Sequence, residues 1–154
     1  MQLSVGEWDA VLQTAKILKV AYEPTEQAAP NGDALGTATG HRLAHAVVIA
    51  ARLMMHEIEA ALDRARAEQG DRVSSDTALE IEGLHTDDLT GLMTLFLENS
   101  EDIRRRVSTE DVLGSDAGGE YRAAHLRNEI VSRSLDHLQE RLDKILKRLG
   151  AARG

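Results

Sequence analysis

Apolar residues recur at intervals of four and three along the last part of this sequence, and this repeat restricts the possible folds more than any other feature. We call the repeat the C-terminal seam, and its residues are Val131, Leu135, Leu138, Leu142, Ile145 and Leu149. This spacing places them on one side of an α-helix and is the repeat found in coiled coils. The pattern predicts a long final helix that begins after Gly118 and Gly119.

Asn128 lies one heptad before Leu135 and places an amide where the seam would otherwise begin. In a parallel coiled coil, a single asparagine at such a position pairs with its counterpart and fixes the register, at a cost in stability. In the alternative interpretation the amide marks the edge of the core and contacts water or a neighbouring backbone. The sequence leaves both interpretations open.

A second long helix is predicted from about Thr39, as N-cap, to Gly70, as C-cap. Its apolar side repeats at intervals of three and four through Ala44, Val47, Ala51, Met54, Ile58, Ala61 and Ala65. Ala46, Ile49 and Leu53 form a second apolar stripe on another side of the same helix. We therefore expect the first half of this helix to contact neighbours on two sides.

Two shorter helices are also predicted. The first begins at Val5 and ends by Tyr22 or Glu23, because Pro24 disfavours helical backbone in the residue before it. The third begins at Thr86, as N-cap, and is expected to bury Leu89, Leu92, Met93, Phe96, Ser100, Ile103 and Val107.

The segments between the helices are predicted to be mainly loops, which gives an all-α fold. Long loops are expected at about 22–38 and 70–85, and the second of these could instead hold a short strand at 78–84 or a helical turn. A short helical turn opened by Ser108 is expected before the final helix. The predicted fold is a four-helix bundle with two long helices, the second and fourth, in a single domain over residues 1–154.

Charge and composition exclude several functional classes. Residues 1–70 hold six Lys/Arg against nine Asp/Glu, residues 71–118 hold four against twelve, and residues 119–154 hold eight against five, within a total of −8. An acidic chain with four aromatic residues lacks the cationic surface and the stacking rings that nucleic acids require, so nucleic acid is not the expected partner. The chain has no cysteine, no apolar run that could span a membrane and no apolar leader, so we expect a cytoplasmic protein.

Histidines are the main candidates for metal binding. His41, His45 and His56 fall on one ridge of the second helix, where they could supply part of a zinc or iron site. That ridge points away from the predicted core, which favours a surface role instead. Glu82 and His85 match the spacing of one di-iron bundle element, but a second copy on a facing helix is missing.

Two further patterns involve arginine. The run Arg104 to Arg106 could bind an acidic partner, although at a helix C-terminus it also complements the helix dipole. Arg127 and Asn128 followed by His137 resemble the arginine and histidine motif of the HEPN family of helical ribonucleases. Nine residues separate Arg127 from His137, which is more than the family motif has, so the implied ribonuclease activity is an alternative expectation only.

Helix length favours an assembly function. At about 1.5 Å per residue the two long helices would extend well beyond the two short ones, so part of an apolar seam is expected to be uncovered. We therefore expect a non-enzymatic interaction protein without a cofactor, either a homodimer or a subunit of a larger complex. The expected interface residues are Asn128, the C-terminal seam, Ile49 and Leu53. The alternative expectation is an enzyme, with metal at the histidine ridge or HEPN-like chemistry.

Overall fold

The computed structural model describes the backbone of residues 1–27, 35–107 and 124–153, and the side chains of residues 1–25, 42–107 and 131–150. Helices account for 83% of the described residues, which confirms the all-α prediction. The elements are β1 (Gln2–Ser4), α1 (Val5–Gln27), α2 (Leu35–Gln69), a 3-10 turn (Gly70–Arg72), β2 (Ala78–Glu80), α3 (Thr86–Glu98), α4 (Ser100–Arg106) and α5 (Ala124–Arg153).

A two-stranded antiparallel sheet joins the start of the chain to the connection that follows α2. Leu3 of β1 pairs with Leu79 of β2, and Leu3 is buried. The Trp8 indole N–H donates a hydrogen bond of 2.9 Å to the Leu79 carbonyl, which fastens β2 to α1. The short strand was one of the alternatives for residues 70–85, whereas the sequence analysis did not predict β1.

A capping box fixes the start of α1. The Ser4 hydroxyl accepts from the Glu7 N–H at 3.1 Å, and the Glu7 carboxylate accepts from the Ser4 N–H at 2.9 Å. These reciprocal bonds satisfy two N–H groups that the helix itself leaves without acceptors.

The predicted end of α1 is wrong, because the helix continues through Pro24 to Gln27. Proline removes one backbone donor and disfavours helix in the preceding residue. Here it lies in the last turn, so only one late hydrogen bond is lost and the helix ends soon afterwards.

Helix α1 is the centre of the molecule. It contacts α2, α3, α4 and α5, and its most extensive contact is with α2. Its buried residues occupy several sides of the helix: Val5, Trp8, Ala10, Val11, Leu12, Thr14, Ala15, Ile17, Leu18, Ala21 and Tyr22. The Thr14 hydroxyl donates to the Ala10 carbonyl at 2.8 Å, so this buried polar group is satisfied.

Helix α2 ends where predicted, before Gly70, but begins earlier than predicted. Gly70 follows the helix with a φ of +56°, the left-handed conformation that glycine adopts without steric cost. Thr39 is not the N-cap, since the helix begins at Leu35. Once a helix is nucleated, each added residue gains a hydrogen bond. A residue that favours the N-cap position can therefore lie inside the helix, as Thr39 does.

The predicted third helix is divided at Asn99. Asn99 has φ −110° and ψ 20°, outside the helical range, and its side-chain amide donates to the Leu95 carbonyl at 2.8 Å. Asparagine competes with the backbone in this way, which is why it favours helix ends. Thr86 is the first helical residue of α3 and not its cap, because His85 occupies the N-cap position without a capping side-chain bond.

The C-terminal seam is enclosed within the chain. All six of its residues are buried, with Leu142 completely inaccessible. Helices α1, α3 and α4 each contact α5, so the two helices predicted to be too short, the second of them divided into α3 and α4, bury the described part of the seam. The expectation of an uncovered seam is therefore wrong for the described part of α5. The side chain of Asn128 lies outside the described residues, so neither interpretation of its amide is tested.

Arginines of α5 also tie that helix to the start of α1. Arg148 donates to both carboxylate oxygens of Glu7, and Arg141 donates to the Gly6 carbonyl at 2.6 Å. Burial raises the pKa of Glu7, but the hydrogen bonds from Arg148 and Ser4 outweigh this effect, so the pKa lies below its ordinary value.

This lowered pKa predicts a pH-dependent contribution to stability. A carboxyl with a depressed folded-state pKa stabilises the protein above the unfolded-state pKa, and that stabilisation is lost as the pH falls through the folded-state pKa. Replacing Arg148 by alanine should lower the free energy of unfolding by about 0.5–1 kcal/mol at pH 7, since the arginine is half exposed. The difference should shrink below about pH 4.

Urea unfolding of both proteins at pH 7 and pH 3.5 measures this difference. Lys147→Ala is the matched control, because Lys147 is exposed and its ion pair joins residues one turn apart on α5. An equal loss for Arg148→Ala at both pH values would contradict the role assigned to Glu7.

Candidate functional site

An apolar groove lies between α2 and α3. It has a volume of about 770 Å³ and is open to solvent. One wall is the segment of α2 from Leu43 to Met54, and the other is formed by the turn before α3 and by α3 as far as Leu95. This size is in the range of sites that bind ligands or peptide side chains.

Three large apolar side chains that border the groove on α2 are half exposed. Leu43, Ile49 and Leu53 are 53%, 50% and 57% exposed, and they are the exposed large hydrophobic residues of the described chain. Single exposed apolar residues are common on protein surfaces, but several along one groove are typical of a binding site. Their helical spacing places them on one side of α2.

Helix α2 contacts both α1 and α3, and its contact with α1 is the more extensive. Ile49 and Leu53 of the predicted second stripe line the groove and are half exposed, whereas Val47 and Met54 of the first stripe are buried. The sequence analysis missed Leu43. Extending the second stripe by one further step of three residues from Ala46 would have included it.

The opposite wall combines buried leucines with a glycine. Leu84 and Leu92 are buried at its base, and Leu95 is half-buried. Gly91 is exposed within α3, and a Cβ built on it would meet no atom of the described chain within 4 Å. The space into which a side chain at this position would project is therefore open.

The charged side chains that line the groove are acidic. Asp87 and Asp88 lie in the first turn of α3 and are exposed, and His45 lies on the α2 wall. The Glu57 carboxylate lies 3.1 Å from the point that a Cβ on Gly83, another lining residue, would occupy. Negative charge is thus concentrated on the α3 side of the groove.

The predicted histidine ridge is placed on the surface. His45 and His56 are exposed, as predicted, and the side chain of His41 lies outside the described residues. Glu82 and His85 are exposed in the turn before α3 and do not lie on facing helices. Where side chains are described, no three or more potential ligands cluster closely enough to hold a metal ion.

The arginine patterns have different outcomes. Arg104 pairs with Asp136 at 2.7 Å, and Arg106 pairs with Asp102 at 2.8 Å, so two members of that run make contacts within the molecule. Arg106 also lies over the Tyr22 ring, 5.1 Å from its centre. Of the HEPN-like residues, His137 is exposed on α5, while the side chains of Arg127 and Asn128 lie outside the described residues.

Comparison with known proteins adds no assignment. No protein-family model, curated protein or solved structure matches this chain. Within the described residues, none of the helices combines the length and the apolar character needed to span a bilayer. The proposed function therefore depends on the geometry of the groove.

Gly91 provides a direct test of the open groove. A glycine inside a helix is less favourable than alanine by about 0.5–1 kcal/mol, and nothing in the described chain would obstruct the added methyl group. Gly91→Ala should therefore raise the free energy of unfolding by about that amount, as measured by urea unfolding. Gly150→Ala is a matched control on α5, with equally open space around it. A loss of stability for Gly91→Ala alone would show that the groove is closed in solution.

Proposed function

We propose that this protein is a non-enzymatic interaction protein that binds a partner protein in the groove between α2 and α3. The observation that carries the proposal is the set of half-exposed side chains Leu43, Ile49 and Leu53 along an open groove. The groove offers an apolar surface, and among the described residues no group of three or more potential metal ligands lies close together.

The energetics of these side chains fit a docking role. Complete burial of a leucine or isoleucine side chain stabilises by about 1.5–3 kcal/mol, so covering the exposed half of each residue would contribute about 1 kcal/mol. Three such residues give about 3 kcal/mol, which helps offset the entropic cost of association. The rest of the binding free energy must come from contacts between the partner and the groove walls.

The burial of the C-terminal seam residues favours assembly through α2 over assembly through α5. A homodimer through the C-terminal seam would require residues that are already buried in the chain's own core, such as Leu138 and Leu142. Ile49 and Leu53 remain accessible, so they are the members of the expected interface that support docking. We further propose a four-helix bundle architecture in which α3 and α4 together form one of the four helical units.

Site-specific crosslinking in the native host tests this proposal. A photoreactive amino acid in place of Ile49 should yield a discrete crosslinked protein, and Leu53→Glu in the same chain should abolish it because a carboxylate would be placed in the apolar groove. The matched control carries the photoreactive group in place of His137, which is exposed on α5. Crosslinks that form equally from both positions, or that persist with Leu53→Glu, would contradict docking at the groove.

A further inference from the structure

We draw no further inference here: the strongest candidate, the apolar groove between α2 and α3, belongs to the site already described, and nothing in the structure shows what covers it.

Discussion

Replacing Trp8 by alanine is expected to lower the free energy of unfolding by about 3–5 kcal/mol, because it leaves a large cavity at the centre of the molecule. Trp8 is completely buried and lies in α1, the helix that contacts all the others. Domains of this size have a total stability of about 5–15 kcal/mol, so the variant should be close to unfolding at room temperature. Circular dichroism during urea unfolding measures the loss without requiring tryptophan fluorescence.

Trp8→Phe separates packing from hydrogen bonding at the same position. Phenylalanine retains much of the apolar contact but removes the N–H that donates to the Leu79 carbonyl. An intermediate loss of about 1–3 kcal/mol is expected from the lost hydrogen bond and the smaller ring. If Trp8→Ala cost less than 1 kcal/mol, the central position of α1 would be contradicted.

Replacing Leu142 by alanine is expected to lower the free energy of unfolding by about 2–5 kcal/mol, with the same value at every protein concentration. Leu142 is fully buried in the C-terminal seam, and the residues that cover it belong to the same chain. A seam buried between two chains would instead couple unfolding to dissociation, and stability would then depend on concentration.

Leu146→Ala is the control for this second prediction. Leu146 lies one turn further along α5 and is only partly buried, so its replacement should cost clearly less than that of Leu142. Urea unfolding across a hundredfold range of concentration distinguishes the two cases. A midpoint for wild type or Leu142→Ala that rises with concentration would show that folding is coupled to association and would contradict this prediction.

Local patterns predicted several parts of the fold for a clear physical reason. The seam of α5 and the first stripe of α2 repeat over several turns, and residues such as Leu135 and Ile58 are buried as their spacing indicates. Gly70 ends α2 because the left-handed backbone there favours glycine. These features depend on residues only a few positions apart.

Features that join distant parts of the chain were not predicted. Strand β1 pairs with β2 across more than seventy residues, and two three-residue strands carry too little alternation to be recognised. The extension of α1 past Pro24 and the division at Asn99 were not predicted either, because a proline in the last turn removes only one hydrogen bond and an asparagine side chain can compete with the backbone inside a predicted helix. Single residues with opposing local preferences do not determine such outcomes.

The candidate site also depends partly on local sequence, which predicted some of its residues, and partly on tertiary structure. The sequence identified Ile49 and Leu53 as a second apolar stripe, but it could not show whether a neighbour covers them. The groove exists because α3 lies beside α2 at a distance that leaves an opening, with Gly91 and Asp88 on its far side. Its acidic character arises from residues more than thirty positions away from the stripe.

The sequence by itself determined that the chain forms long amphipathic helices and which side of each helix avoids water, because helical periodicity and residue polarity are local properties. Only the tertiary structure decided which apolar surfaces cover one another. Burial depends on the relative positions of all the helices, and these placed the C-terminal seam in the core and left Leu43, Ile49 and Leu53 at the surface.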